Sequence, residues 1–217
     1  MNTRIYLVDC SPLKQSEELL HTYPLLDTTR QQQVERQQTA EGKAQRAAAG
    51  VLLTHLFGKD GKPPILFRGS RGKPYLVGRE DLFFNLSHSG RWVCCAVSDN
   101  EVGVDAQKLG PCRPQVASRH FTQAERQWMD EDPDERFTRL WALKEAYVKF
   151  TGFGLVLPLS SFTVPTPPDG WDDGQHCRWK EFAIEDVRIA VCAGSKEPIL
   201  PPEILSIRKI IENGGVL

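Results

Sequence analysis

The clearest pattern of apolar and polar positions predicts an amphipathic helix over residues 136–150. At about 100° per residue, its apolar positions form one stripe that includes Trp141. Lys144 projects into the middle of this stripe, and Glu145 and Lys149, four residues apart, lie along its edge. Because a charged group on a buried face is costly unless it is paired or bound, the interruption indicates a site that holds something polar and charged.

Other segments predict a mixture of short strands and helices. Thr122 followed by Glu125 has the spacing of a capping box at a helix start. Residues 101–106 are predicted to pair as a hairpin with residues 92–97. The predicted strands are 3–8, 65–67, 73–77, 82–86, 92–97, 101–106, 161–164, 177–184, 187–193 and 204–211, and the predicted helices are 16–23, 28–38, 41–57, 114–120, 122–130 and 136–150.

The order of these elements contains a weak internal repeat. A helix, a glycine-containing loop and the strand 93–97 follow one another in the first half, and a helix, two glycines and the strand 190–193 do so in the second. This weak repeat predicts an α+β fold in which two similar α/β halves pack as a pseudo-dimer. Residues 1–107 and 108–217 are each expected to form a small antiparallel sheet with packed helices, with the candidate site between the halves.

Composition and charge narrow the class of protein. The chain has 217 residues, enough for a core without disulfides, and its 40% hydrophobic and 25% charged content is that of a soluble globular protein. A net charge of −1 gives no global basic field for nucleic acid or an anionic membrane. No apolar run approaches the roughly 20 residues of a membrane span. The six cysteines form no C-x-x-C pair, so reduced, mostly buried thiols and a cytoplasmic location are expected.

Charged and polar residues with chemical potential concentrate in three segments. In an extended strand Asp105 and Gln107 face the same way, and Glu145 supplies a second carboxylate. Two carboxylates with few other protein oxygens are typical of a Mg²⁺ site completed by water and substrate phosphate. Ser87 adds a hydroxyl donor, and one metal with several cations and a base is what phosphoryl-type transfer needs. The cations that suit phosphate groups are Lys73, His88, Lys144 and Lys149.

Simpler interpretations of the same residues are open. A Lys–Glu pair on a helix is more often a solvated surface pair, and a lone Asp after a strand is more often a turn residue. The arginines between residues 30 and 46 are equally well explained by a solvated helix face. Other catalytic classes lack their signatures, because the chain has no G-x-S-x-G nucleophile elbow and no G-x-x-x-x-G-K-[ST] phosphate loop.

Four motifs in order and at matching spacing resemble those of one known family. They are Gly72-Lys73-Pro74, Phe84-Asn85-Leu86-Ser87-His88-Ser89, Gly103-Val104-Asp105 and Trp141-Ala142-Leu143-Lys144-Glu145-Ala146-Tyr147-Val148-Lys149. The 4′-phosphopantetheinyl transferase superfamily, in its larger Sfp-type branch, carries G-K-P, F-N-x-S-H-S, G-[IV]-D and W-x-x-K-E-[AS]-x-x-K. The resemblance covers the whole chain, with the C-terminal loops least constrained.

The resemblance implies an enzyme that transfers the phosphopantetheine arm of coenzyme A to a serine of a carrier protein and releases 3′,5′-ADP. It implies that Asp105 and Glu145 bind Mg²⁺, and that Glu145 deprotonates the carrier serine directly or through water. Arg46, with Arg30 or Arg36, is expected to meet the 3′-phosphate. The residues expected to contact other phosphates of coenzyme A are Lys73, Ser87, His88, Lys144 and Lys149, and the catalytic set is Asp105, Glu145, His88 and Lys149.

One position departs from the family pattern. Many members have G-I-D-x-E, whose second acid completes the metal site, whereas this chain has Gln107. The Gln107 amide oxygen is expected to be a third ligand or to hold a metal-bound water, with less electrostatic attraction than a carboxylate. The departure keeps open a module that binds coenzyme A or a carrier protein with little or no turnover. An unrelated α+β binding protein is a weaker alternative.

The partners implied by the resemblance are coenzyme A and an apo acyl or peptidyl carrier protein, with no nucleic acid and no membrane. Carrier proteins are typically acidic, so a basic or apolar docking patch is expected within residues 110–130, including Arg113 and Arg119. A monomer is expected, because the site would form between the two halves of one chain.

Overall fold

A computed structural model describes residues 1–166, 177–194 and 197–216 of the chain. Its helices are α1 (Ser16–Leu20), α2 (Thr28–Glu35), α3 (Ala40–Phe57), α4 (Pro114–His120), α5 (Gln123–Met129), α6 (Pro133–Thr151) and α7 (Ile207–Glu212). Its strands are β1 (Arg4–Asp9), β2 (Leu66–Arg68), β3 (Pro74–Leu76), β4 (Phe83–Ser89), β5 (Trp92–Ser98), β6 (Val102–Lys108), β7 (Arg178–Ile184), β8 (Val187–Ala193) and β9 (Glu203–Leu205). Short 3₁₀ helices lie at Ser11–Lys14, Tyr23–Leu25, Gly154–Val156 and Leu159–Ser161.

The strands form small sheets, which confirms the mixed α+β class. A four-stranded sheet has the order β4-β5-β1-β9, and all its pairs are antiparallel except β1 with β9. A three-stranded antiparallel sheet has the order β6-β8-β7. The strands β2 and β3 form a separate two-stranded ribbon.

Apolar side chains join these elements into stacked layers. Helix α3 packs on the face of the four-stranded sheet that carries Val8. The opposite face carries Leu7, which packs together with Val104 of the three-stranded sheet. Helix α6 covers the other face of the three-stranded sheet, where Leu143 and Cys192 share one apolar cluster. Both faces of β5, β6 and β8 are therefore covered by other elements, which is why these three strands are almost wholly buried.

Local sequence explains where α6 begins and ends. Asp132 caps its N-terminus by accepting from the backbone N–H of Glu135, and Pro133 occupies the first turn, where its missing N–H costs nothing. Gly152 ends the helix in the left-handed conformation at φ 67°, which glycine adopts without strain. The predicted helix over 136–150 is confirmed and is three residues longer at its start.

Helix α6 lies unusually close to β6 at Gly103. A Cβ atom at Gly103 would lie 2.0 Å from the carbonyl oxygen of Ala146 and 2.3 Å from the backbone nitrogen of Phe150. Only glycine allows the two backbones to touch in this way. The contact sets the distance between the strand that carries Asp105 and the helix that carries Glu145.

Three predictions about elements are wrong. Residues 101–106 do not pair with 92–97, because β6 pairs with β8, far away in the chain. The predicted strand 204–211 is the short β9 followed by α7, whose start is capped by the Ser206 hydroxyl. Residues 161–164 form no strand, because Ser161 ends the 3₁₀ helix Leu159–Ser161 and the next three residues are irregular. The capping box of Thr122 and Glu125 at α5 is confirmed.

Burial agrees with the prediction for the cysteines, since five of the six are buried. Burial raises the pKa of the Cys10 and Cys94 thiols to about 12, so these thiols stay protonated at neutral pH. No helix in the described ranges is both long enough and apolar enough to cross a membrane.

Candidate active site

The strands β4 and β6 meet through side chains instead of a backbone ladder. Asn85 Oδ1, Ser87 Oγ and Ser89 Oγ accept hydrogen bonds from the backbone nitrogens of Val104, Ala106 and Lys108, at 3.0, 3.2 and 2.8 Å. Residues at i, i+2 and i+4 of a strand share one side, so alternate positions of β4 are all directed at β6. This seam explains the polar residues of the F-N-L-S-H-S segment and joins the two larger sheets.

Asp105 is the centre of a hydrogen-bonded cluster on β6. Its carboxylate is 3% exposed, and its Oδ1 atom accepts from Ser87 Oγ at 2.7 Å and from Lys149 Nζ at 2.5 Å. Its Oδ2 atom accepts from Gln107 Nε2 at 2.7 Å. The same Lys149 ammonium also donates to the Val104 carbonyl at 3.0 Å. A buried carboxylate needs such donors, and here they come from β4, β6 and α6.

Glu145 is held near this cluster by α6. Burial raises the pKa of its carboxyl group, and the nearby Asp105 raises it further, while Lys149 opposes the shift. The structure therefore brings the two predicted carboxylates within electrostatic reach of each other. Asp105 and Gln107 lie on the side of β6 that faces α6, as the strand alternation predicts.

A pocket with several cationic walls lies beside Asp105. It is lined by six of the predicted site residues, from α2, α3, β4, β6 and α6: Arg30, Arg46, Ser87, His88, Asp105 and Lys149. Burial lowers the pKa of His88, and the neighbouring Arg46 and Lys149 lower it further, so His88 is neutral at pH 7. Burial and the nearby Arg46 and Arg68 also lower the pKa of Arg30. A bound anion would offset the repulsion between such closely placed cations.

Lys144 does not line this pocket, and protein acceptors occupy its ammonium where the sequence predicts a phosphate contact. Its side chain is 0% exposed and its ammonium lies 3.0 Å from Glu125 Oε2. Lys144 also donates to the carbonyl oxygens of Leu159 and Phe162, at 2.6 and 2.7 Å. Three acceptors satisfy all three N–H donors of an ammonium, so the charge in the apolar stripe is a buried structural pair.

Lys73 is also engaged elsewhere. Its ammonium lies 2.5 Å from Glu101 Oε2, 3.0 Å from the Val102 carbonyl and 3.1 Å from the Phe150 carbonyl. The Phe150 carbonyl is in the last turn of α6, where backbone oxygens lack helical partners. Lys73 therefore caps α6, and its predicted phosphate contact stays a prediction. Arg36 is exposed at the end of α2 and does not line the pocket.

The donor set fits a hard divalent cation. Within the described ranges, no cluster of three or more His, Cys, Asp and Glu side chains is placed to hold a metal ion. The set that remains is the carboxylates of Asp105 and Glu145 and the amide of Gln107. Mg²⁺ prefers few protein oxygens and keeps several waters. The raised pKa of Glu145 beside Asp105 agrees with a cation site, because a cation near both carboxylates would relieve their repulsion.

A second cleft is lined by Gln107 at the end of β6. Its walls also include Lys108, Arg113, Val116 and Trp141, so it combines apolar surface with positive charge. Asp105, two residues before Gln107 on the same strand, lines the cationic pocket described above.

Some residues of the site were missed in the sequence. Asn85 and Ser89 were quoted only as part of a motif, although alternation along β4 indicates that they share a side with Ser87. Arg68 lies near Arg30 and comes from the ribbon strand β2. Glu125 was interpreted as a cap, and nothing local indicates its ion pair with Lys144, 19 positions later.

The fold and site thus define an α+β protein with two neighbouring carboxylates beside a pocket lined by cationic side chains. A family model described as the 4′-phosphopantetheinyl transferase superfamily matches residues 101–192. The 4′-phosphopantetheinyl transferase psf-1 of Bacillus pumilus is 33% identical over 184 residues, which are 77% of this chain and 79% of that protein. The chain belongs to the 4′-phosphopantetheinyl transferase superfamily, and the resemblance seen in its motifs is confirmed.

Two Bacillus subtilis relatives match over shorter stretches. The 4′-phosphopantetheinyl transferase Sfp of strain 168 is 36% identical over 147 residues, 63% of this chain and 65% of that protein. Another 4′-phosphopantetheinyl transferase of this species is 38% identical over 133 residues, 56% of this chain and 59% of that protein. In both cases the match spans less than two thirds of the relative's length.

Proposed function

We propose that this chain is an enzyme that transfers the 4′-phosphopantetheine arm of coenzyme A to a serine of an apo carrier protein. The products are the holo carrier protein and adenosine 3′,5′-bisphosphate. The observation that carries the proposal is the cationic pocket beside Asp105 and Glu145, in a chain whose relatives are named 4′-phosphopantetheinyl transferases. Phosphoryl-type transfer depends on positioning and charge neutralisation, and these residues supply both.

Coenzyme A is the substrate that the pocket would hold. Arg30 and Arg46 are proposed to bind the 3′-phosphate, because guanidinium groups bind phosphate oxygens in a bidentate manner. His88, Lys149 and the Ser87 hydroxyl are proposed to bind the pyrophosphate, since they lie next to Asp105 in the same pocket. Lys73 and Lys144 have no part in this set, because their ammonium groups are committed to protein acceptors.

Asp105, Glu145 and Gln107 are the residues that would hold Mg²⁺. When bound, Mg²⁺ would neutralise charge on the pyrophosphate oxygens. The amide nitrogen of Gln107 donates a hydrogen bond to Asp105. We therefore propose that Gln107 orients Asp105 as well as offering its amide oxygen to the metal ion.

Glu145 is the proposed general base. The carrier serine oxygen forms a bond to the phosphorus that bears the pantetheine arm, and its proton passes to Glu145. The bond from that phosphorus to the bridging oxygen breaks, and its electron pair leaves with adenosine 3′,5′-bisphosphate. Lys149 and His88 would stabilise the charge that develops on the phosphoryl oxygens.

The carrier protein is proposed to dock at the second cleft, beside residues 110–130. Arg113 and Lys108 supply positive charge, and Val116 and Trp141 supply apolar surface. An acidic carrier with an apolar contact face would complement this cleft.

The two halves, residues 1–107 and 108–217, are proposed to be a pseudo-dimer with the active site between them. The halves exchange strands, because β6 of the first completes the sheet of the second and β9 of the second joins the sheet of the first. In support, each larger sheet is covered by one long helix, α3 or α6, and the β4–β6 seam lies beside the pocket. A monomer in the cytoplasm would then be sufficient for activity.

The second candidate is a module that binds coenzyme A or a carrier with little turnover, which Gln107 in place of an acid favours. Incubation of an apo carrier protein with coenzyme A and Mg²⁺, followed by intact-protein mass spectrometry, separates the two. Under our proposal the carrier gains one phosphopantetheine arm with the wild type and gains none with Asp105→Asn. Coenzyme A binding without a mass gain would favour the module.

A further inference from the structure

Arg30 of α2 and Leu26, just before α2, lie close against the backbone of Gly50 in the buried part of α3. A Cβ atom at this position would lie 2.3 Å from Leu26 Cδ2 and 2.9 Å from Arg30 Cγ. Real Cβ atoms essentially never approach other heavy atoms that closely. The side chain of Arg30 therefore crosses α3 over the space that the missing side chain leaves.

Glycine is a poor helix former, and the residues before it in α3 are alanines 47, 48 and 49. Alanine at position 50 would suit the helix better, so the reason for glycine lies in the space it leaves. Ala49 lines the cationic pocket directly, which places the Gly50 contact immediately behind the pocket wall.

The backbone of Arg30 is held in place independently of its guanidinium group. Asp27 caps α2 and accepts a hydrogen bond from the Arg30 backbone nitrogen at 2.9 Å. With the backbone fixed by the cap, the path of the aliphatic stem decides where the guanidinium lies. That path runs over Gly50, and Arg30 lines the pocket together with Arg46 and His88.

We infer that Gly50 is a positioning residue for the phosphate pocket, because it leaves the passage through which Arg30 reaches that pocket. The inference rests on the proposed function for the identity of the ligand, coenzyme A. Gly50 touches no ligand itself and acts through Arg30.

Gly50→Ala tests the inference, since the added methyl group meets Leu26 and the Arg30 stem. Isothermal titration of coenzyme A is expected to show roughly tenfold weaker binding, about the loss of one charge-assisted hydrogen bond. Arg30→Ala is expected to show a similar loss. The double variant Gly50→Ala/Arg30→Ala is expected to bind no more weakly than Arg30→Ala alone, because Gly50 acts through the arginine.

Gly42→Ala is the matched control on the same helix. Its added Cβ would meet only the side chains of Gln37 and Thr39, near the N-terminus of α3. It is expected to bind coenzyme A as the wild type does. Should Gly50→Ala fail to fold, the variant Gly50→Ala/Leu26→Ala removes the closer clash and leaves the one with the Arg30 stem.

Two results would overturn the inference: wild-type affinity in folded Gly50→Ala, or losses for Gly50→Ala and Arg30→Ala that multiply in the double variant. The same proteins are also titrated with inorganic phosphate, which needs only the cationic side chains of the pocket. If the wild type binds inorganic phosphate and not coenzyme A, the proposed function fails. The inference then stands or falls on the inorganic phosphate affinities of the four variants.

Discussion

The ammonium of Lys149 lies 2.5 Å from Asp105 Oδ1 and joins α6 to β6 at the centre of the site. It also donates to Ser87 Oγ at 3.0 Å, so one side chain links the β4–β6 seam to the helix that carries Glu145. A residue expected to bind phosphate therefore also supports the folded state. Its two roles can be separated by measuring stability and binding on the same variants.

Lys149→Met is expected to destabilise the protein by about 3 kcal/mol, because it leaves the buried Asp105 carboxylate without its cation. Urea unfolding of the metal-free protein measures this loss. In Lys149→Met/Asp105→Asn the loss should be clearly smaller than the sum of the two single losses. Strictly additive losses would contradict the pairing.

Glu145→Gln is expected to abolish transfer while raising stability at neutral pH. The folded-state pKa of Glu145 is raised, so the folded protein binds the Glu145 proton more tightly than the unfolded chain. The ionised carboxylate thus costs stability above the ordinary pKa of 4.5, and the cost disappears below it.

Urea unfolding in EDTA should therefore show Glu145→Gln more stable than wild type at pH 7, with the two equal below pH 4.5. The transfer rate should fall at least about 100-fold, as for loss of a general base. Lower stability at pH 7 would mean that Glu145 has a favourable partner in the folded protein.

Lys144→Met is expected to destabilise the protein by about 4 kcal/mol, because Glu125 would remain as a buried and uncompensated carboxylate. Lys209 is exposed, so Lys209→Met is the matched control and should change stability little. Under conditions where Lys144→Met is folded, coenzyme A affinity should equal that of the wild type. A normal stability with weakened coenzyme A binding would restore the phosphate role that the structure removes.

Gln107→Glu should destabilise the protein in EDTA by about 2 kcal/mol, because a donor to Asp105 Oδ2 is replaced by a like charge. Added Mg²⁺ should then raise the melting temperature more than it does in the wild type, since a third carboxylate strengthens the site. Gln107→Ala removes the hydrogen bond without adding charge and serves as the control. An unchanged response to Mg²⁺ would place residue 107 outside the metal site.

Local patterns predicted the elements that carry the chemistry. The periodicity of 136–150 and the glycine that follows it predict α6, and strand alternation places Asp105 and Gln107 on one side of β6. Both inferences use only neighbours in the sequence. The face of an element is a local property, and local properties can be read directly.

Partners distant in the chain could not be predicted in the same way. The pairing of β6 with β8 competes with a short hairpin to β5. Packing of both strands on α6 and on the four-stranded sheet accompanies the distant pairing. Likewise, the apolar stripe correctly shows that Lys144 is buried, but its partner Glu125 lies on a different helix. A charge on a buried face predicts that a partner exists and does not tell a ligand from a second side chain.

A crystal structure of the wild-type protein with coenzyme A and Mg²⁺ would test all the proposed contacts of the site at once. We expect the 3′-phosphate at Arg30 and Arg46, the pyrophosphate at His88 and Lys149, and the metal ion on Asp105 and Glu145. Lys73 and Lys144 should keep their present bonds to protein acceptors. A pyrophosphate bound by Lys73 or Lys144, or a metal ion away from Asp105, would contradict the proposed site.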